Sequence, residues 1–488
     1  MNEDNIHSKT HVVAYLKFPE LEADPDNSEI LQKLNGIYSV VVNTLNHRRG
    51  YGNTSFGGQP YGEDTLSILV FSNNFIIAEE LYGDESTQVE IISRVFEIVS
   101  IIQAAAKEKY QWSLWGYIGF SQFYISEKNK RDEFGFVWGN ILPIVALREK
   151  APEKYPGVSI DPDIHSFLDK VDVELGVIAR YVDFVTEDSI FLKSDVDISI
   201  NEIEGELPKL EMGKYIVAYL DMLGTVERMT NDSGDESLNA IYHLYLETFS
   251  HQKAFEDTRN KIPAAYRNPV MKANMKDLVG DPEIDAPKIK ILSDNILFAV
   301  KASTDQEDNM QCLLRLIAFV SHFQTFALLY YGWLLRGGVT IGDLYIDDVF
   351  AWGPAIVRSI SLEEKTAKNP RVIVDTPVSE FYSEFIRDSC TNLFPILILI
   401  RQDVDDAYFV SYQDIITDGA QYSSGEIQTI TLKYQQALIT LLREYRDNES
   451  VRKKVEWAIK YHNQISKERG CKISISAELI ENIMGEIR

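Results

Sequence analysis

At 488 residues the chain is longer than one hydrophobic core usually organises, so two or three domains are expected. Hydrophobic residues at 45% and charged residues at 25% describe a globular protein with ample core material. A formal net charge of −26 argues against non-specific binding to nucleic acid or an anionic membrane surface, although a metal ion can reverse the sign of a local site. Cys312, Cys390 and Cys471 are far apart and match no zinc spacing, and "MNEDNIHSKT" carries no signal-peptide pattern. Both point to a cytoplasmic protein.

Along the chain, "HVVAYLKFPEL" (11–21) reads as a strand and "SILVFSNNFIIAEE" (67–80) as a hairpin. "WGYIGFSQFYI" (115–125), "FVWGNILPIVALREKA" (136–151) and "YPGVSID" (155–161) follow, separated by windows of helical periodicity. The same order then returns. "YIVAYLDMLGT" (215–225), "KIKILSDNILFAVK" (288–301), "RGGVTIGDLYI" (336–346), "FAWGPAIVRSISLEEKTA" (350–367) and "NPRVIVD" (369–375) repeat the five blocks with different loop lengths. Five blocks in one order indicate a duplicated domain. The linker is polar and breaks at Gly205 and Pro208. The first crossover of the second copy is longer, with room for added helix. One apolar stretch, Leu313–Leu335, is long enough to span a membrane. It contains Arg315, His322 and Gln324, and Leu316, Val320, Phe323 and Ala327 form a stripe, so a core helix running into a strand at Tyr330 is expected. After the second copy, stripes at Tyr434, Leu438, Leu441 and Tyr445, and at Val451, Val455 and Ile459, predict a helical tail. His462 in that tail has no metal-spaced partner and is expected to be packed or capping.

The copies differ in polarity at three matched positions. Asp221 stands where the first copy has Lys17, Asp294 where it has Asn73, and Arg336 where it has Trp115. A lone Asp at a strand end is usually a turn or cap residue. Two acids and an arginine present together in one copy and absent together from the other favour a single site in the second copy. Carboxylates at adjacent strand ends suit hard cations such as Mg²⁺ or Mn²⁺, and an arginine on the next strand suits a phosphate tail. These parts fit two-metal phosphoryl or nucleotidyl transfer.

Asp221-Met-Leu-Gly224, "IKILSD" ending at Asp294, Arg336-Gly-Gly-Val-Thr-Ile-Gly342 and Trp352-Gly353-Pro354 resemble, in order, four motifs of class III nucleotidyl cyclases. The wording "AYLDMLG … SDN … RGGVTIGDLYIDD … GPA … LE" is most similar to bacterial pyrimidine cyclases of anti-phage (Pycsar) systems. The resemblance implies an α+β chain of two tandem ferredoxin-like, palm-type cyclase domains. They would pack face to face as an intramolecular pseudo-heterodimer: residues 1–205 degenerate, 206–418 metal-binding, and 419–488 a helical extension. It implies two divalent ions (Mn²⁺ or Mg²⁺) on Asp221 and Asp294, with the Met222 carbonyl as a third ligand. Backbone N–H groups of Leu223, Gly224 and Thr225 would cradle phosphates, and Arg336 would grip the tail.

From the first copy the resemblance implies a transition-state arginine and a late phosphate-binding lysine. The arginine register falls on Leu147, or on Arg148 if the helix shifts by one residue, and the lysine falls near Lys193; the matching asparagine position is Pro143. The positions that read adenine in adenylate cyclases are Leu69 and Phe136, which cannot form those hydrogen bonds, so a pyrimidine triphosphate is expected. UTP and CTP are not separated by the sequence. The product would act on a separate effector. Two other readings stand: an inactive nucleotide sensor signalling through the tail, and a dinucleotide-forming polymerase, which the absence of a "GGDEF" block disfavours.

Overall fold

The computed structural model describes residues 9–19, 28–49, 66–72, 74–125, 135–139, 157–171, 181–186, 189–193, 209–223, 239–244, 288–292, 295–303, 306–347, 349–388, 400–413, 424–468, 470–471 and 473–485. The first copy contributes β1 (Lys9–Lys17), α1 (Ser28–Arg49), β2 (Leu66–Phe71), β3 (Asn74–Glu80), α2 (Glu85–Tyr110) and β4 (Trp115–Ile125). β5 (Gly135–Gly139), β6 (Val158–Ile160), α3 (Pro162–Lys170), β7 (Val182–Thr186) and β8 (Ser189–Leu192) complete it. The second copy runs through β9 (Gly213–Met222), β10 (Lys288–Leu292), β11 (Asn295–Lys301), α4 (Gln306–Tyr331), β12 (Leu335–Ile346) and β13 (Phe350–Trp352). It continues with α5 (Pro354–Lys365), β14 (Val372–Val374), α6 (Thr376–Asp388), β15 (Ile400–Gln402) and β16 (Tyr408–Val410). The tail forms α7 (Ser424–Glu444), α8 (Glu449–Glu468) and α9 (Ala477–Gly485).

The repeated sequence blocks make the same ladders. β1 lies antiparallel between β3 and β4, as β9 lies between β11 and β12. β6 runs parallel to β4, as β14 runs parallel to β12. The copies also join edge to edge, which the expectation of face-to-face packing did not include. β13 runs parallel to β2, with Phe350 opposite Val70. β10 runs parallel to β5, with Ile291 opposite Phe136. The pairings β1-β3-β2-β13-β12-β9-β11-β10-β5-β4 return to β1, so the circuit closes and these strands leave no edge between the copies.

Alternation along the strands sorts their side chains into two sets. Ile216, Ala218, Leu220 and Met222 of β9 pack outward, in one core with Val320 and Phe323 of α4. Tyr215, Val217 and Tyr219 point the other way, into a core shared with Val13, Leu69 and Phe71 of the first copy. Each fully buried large apolar side chain contributes about 1.5–3 kcal/mol, so this shared interior binds the two halves strongly. α4 is long and apolar enough to cross a membrane, but 82% of its most apolar stretch is buried in the protein. Leu316, Val320, Phe323 and Ala327 are fully buried, as a core helix requires. The next strand begins at Leu335 rather than Tyr330, because the chain turns at Gly332 with φ of 63° before entering the sheet.

The tail helices are part of the second copy's core. Tyr434, Leu438 and Leu441 of α7 and Val455 and Ile459 of α8 pack with Leu334, Leu362, Ile373 and Phe409. His462 is fully buried, with Nδ1 3.1 Å from Gln413 Oε1, and burial lowers its pKa to about 4. It is a packed histidine.

Candidate active site

Asp221 shares its strand parity with Tyr215, Val217 and Tyr219, so it lies on the interior face at the end of β9. The ladder puts Asn295 of β11 opposite it on one side and Arg336 of β12 on the other. Arg336 Nε donates to Asp221 Oδ2 at 2.8 Å, and Arg336 Nη2 stands 2.6 Å from Glu363 Oε1. Glu363 comes from α5, which crosses the interior face of β12. Gly338 permits that approach: a Cβ there would lie 2.6 Å from both Leu362 Cβ and the Ser359 carbonyl oxygen. The two glycines of "RGG" therefore sit where backbone and helix crowd the strand.

Burial acts against the Arg336 charge, but Asp221 and Glu363 outweigh it and hold the guanidinium above its ordinary pKa. Burial, and then the adjacent Asp221 carboxylate, push the Glu363 carboxyl up to about 8 against the pull of Arg336. Glu363 is 6% exposed and Asp221 17%, so the arginine sits between one deeply and one moderately desolvated acid.

The matched position in the first copy has the same backbone and different chemistry. Lys17 is opposite Asn74 and Trp115, as Asp221 is opposite Asn295 and Arg336. Its Nζ lies 5.8 Å from the centroid of the Trp115 ring. A cation–π contact thus replaces an acid–arginine pair at an equivalent point of the ladder.

Of the other sequence-predicted residues, Met222 ends β9 opposite Leu335, with its side chain in the outer core. The Leu223 N–H donates to the Leu334 carbonyl at 2.9 Å, and its side chain packs on the tail cluster. This corrects the expectation that it cradles phosphate, because that donor is already used. Gly224, Thr225, Asp294 and Arg148 lie outside the described residues, as does the Phe136 side chain. Asp294 directly precedes Asn295, the residue opposite Asp221. Leu69 is buried in the shared interior. Lys193 follows β8, near the far end of the strand order from β9, and its N–H donates to the Tyr181 carbonyl.

Two site residues were missed from sequence. Glu363 is the first, and the second is Lys454 of α8, whose ammonium lies within electrostatic reach of Arg336, Asp221 and Glu363. "SLEEK" follows "WGP" at a helical spacing that could have placed Glu363 over β12. No sequence signal ties the tail to the site.

No family model matches the chain, and no curated protein matches it. Among solved structures it is similar to a class III adenylyl cyclase-like ATP-binding protein from Pseudomonas aeruginosa, with 10% identity and a TM-score of 0.43. That alignment covers 84% of this chain and 90% of the other. It is also similar to a Csm1–Csm4 cassette in complex with cA3, at 10% identity and a TM-score of 0.29, covering 100% of this chain and 71% of the other. Both likenesses are too distant to assign a family or an activity.

Proposed function

We propose that the protein is a metal-dependent nucleotidyl cyclase that converts a pyrimidine nucleoside triphosphate, UTP or CTP, into its 3′,5′-cyclic monophosphate and pyrophosphate. The observation that carries this reading is the exchange at equivalent ladder positions: Asp221 with Arg336 in one copy, Lys17 with Trp115 in the other. A structural requirement of the fold would act on both copies alike. An acid and an arginine kept on one interior face mark a single site, in a tandem pseudo-heterodimer of residues 1–205 and 206–418 with a helical extension from 419.

The donor set fits a hard divalent cation. The Asp221 carboxylate at the end of β9, Asn295 opposite it on β11 and Glu363 beside it on α5 all offer oxygen donors. Among the described residues no cluster of three or more His, Cys, Asp or Glu is assembled, and Asp294 lies outside them. Asp221 and Asp294, with the Met222 carbonyl, would hold Mn²⁺ or Mg²⁺. Bound there, such ions supply charge neutralisation for in-line phosphoryl transfer. Arg336 would leave Asp221 for the triphosphate. The 3′-oxygen would displace pyrophosphate from the α-phosphorus, its proton passing to solvent, and Arg148 would stabilise the developing charge. Gly224 and Thr225 would supply N–H donors, and Lys193 a further phosphate contact. Leu69 and Phe136 would form apolar walls against the base and deny adenine its usual partners. The product would signal in the cytoplasm to a separate effector in anti-phage defence.

The ion pair between Asp221 and Arg336 favours a second reading, because the site's charge is already balanced. In that reading the protein is an inactive nucleotide sensor. One experiment separates these and the dinucleotide alternative: incubation with equal ATP, GTP, CTP and UTP plus Mn²⁺, followed by mass spectrometry. Cyclic UMP or CMP is expected. Dominant cyclic AMP or GMP would overturn the pyrimidine assignment, a dinucleotide would make it a polymerase, and no product would leave the sensor.

A further inference from the structure

We propose that the tail helix α8 is part of this site, with Lys454 binding the polyphosphate of the incoming nucleotide. The identity of the anion rests on the cyclase reading above; the placement of Lys454 does not. Val455, the next residue, is fully buried in the cluster that contains Leu334 and Leu362. Those two residues lie on either side of the site in sequence: Leu334 precedes Leu335 and Arg336, and Leu362 precedes Glu363. The packing of α8 in this cluster brings Lys454 within electrostatic reach of Arg336, Asp221 and Glu363. Arg371 reinforces that placement: fully buried, it pairs with Asp403 and lies 5.9 Å over the Trp457 ring, while Trp457 Nε1 donates to Asp403 Oδ2.

The charge inventory gives Lys454 its role. Asp221 and Glu363 are both engaged by Arg336. Among the described residues Lys454 has no ion pair of its own, although its side chain is half-buried. Burial, and next the Arg336 guanidinium, hold its ammonium below its ordinary pKa, while Asp221 and Glu363 pull the other way. A desolvated cation without a dedicated partner is costly in a fold and useful for an arriving anion. A triphosphate carries more negative charge than Arg336 alone can balance. Lysine's flexible stem and point charge suit a phosphate chain that must also leave as pyrophosphate.

The probe is inorganic tripolyphosphate, measured by thermal shift and calorimetry with the full-length chain, comparing wild type with Lys454→Gln and Lys453→Gln. Lys453 is exposed and pairs with Glu449, so its variant controls for the overall charge of α8. Wild type and Lys453→Gln should bind alike, and Lys454→Gln about tenfold or more weakly, with a melting temperature in the absence of ligand no lower than that of wild type. In turnover, Lys454→Gln should raise KM for the triphosphate by a similar factor while kcat changes less than about threefold. Tripolyphosphate binding that ignores Lys454, or that wild type itself lacks, would overturn the inference. A wild type that makes no cyclic product but binds tripolyphosphate through Lys454 would sink the cyclase reading and leave this inference standing.

Discussion

Asp221 is asked to do two things: it accepts from Arg336 Nε, and in the proposed reaction it holds a cation. Asp221→Asn separates these roles from the fold. The amide keeps an oxygen acceptor for Arg336 but removes the charge that a hard cation requires. Turnover should fall by more than about a hundredfold while the melting temperature stays close to wild type, because the exchange is nearly isosteric. Near-normal product formation would refute the metal assignment. The sequence made this residue legible because the duplication supplied its own control: Lys17 and Trp115 occupy the same ladder positions with different chemistry. Glu363 escaped notice because a glutamate in "LEEK" reads as a solvated helix face. Only the close passage of α5 over Gly338 shows that it is buried against Asp221 and Arg336.

At the scale of elements, the tail's stripes were readable, and they do form α7 and α8. Their destination was not, because amphipathic periodicity says which face is buried and nothing about what covers it. The structure answers with Arg371, clamped between Asp403, Asp405 and Trp457. Arg371→Ala leaves Asp403 without its counter-charge and Trp457 without its stacking partner. Breaking such a buried pair costs about 3–5 kcal/mol. Urea unfolding should show that loss, and hydrogen exchange should accelerate in α8 before it does in β9. Unchanged protection in α8 would mean that apolar packing alone holds the tail. His462 makes the same element sensitive to acid. Its folded pKa of about 4 lies below the unfolded value of about 6.5, so between these pH values the unfolded chain binds more protons than the folded one. Stability is therefore full above about pH 6.5 and declines as pH falls towards 4. His462→Gln should be less stable than wild type at pH 7, by about 1 kcal/mol for the altered contact with Gln413. The gap should narrow at pH 5, where wild type bears a penalty that the glutamine does not. Parallel melting curves at both pH values would exclude His462 as the cause.

For the whole molecule, the joins between the copies carry the strongest consequence. β10 pairs with β5 and β13 pairs with β2, and by the repeat these are the same join made twice: a hairpin strand of one copy beside the short strand after the long fourth strand of the other. A second copy expressed alone, from Leu210 to Arg488, would expose both β10 and β13 as open edges. It would also uncover Tyr215, Val217, Tyr219 and Leu297, which the first copy now covers. Its own β10 and β13 are complementary to those of a second molecule turned about a two-fold axis. The isolated half should therefore form a symmetric dimer, with each β10 against the other's β13, because this satisfies both edges and closes the circuit again. Light scattering after size exclusion should give twice the mass of the fragment. The dimer would carry two sets of Asp221 and Arg336 but nothing from the first copy, so it should bind Mn²⁺ and lack cyclase activity. A stable monomer would show that the shared interior is dispensable, and a fully active monomer would reduce the first copy to a scaffold. Mixing the fragment with a separately expressed first copy should recover activity if the site is divided between the halves.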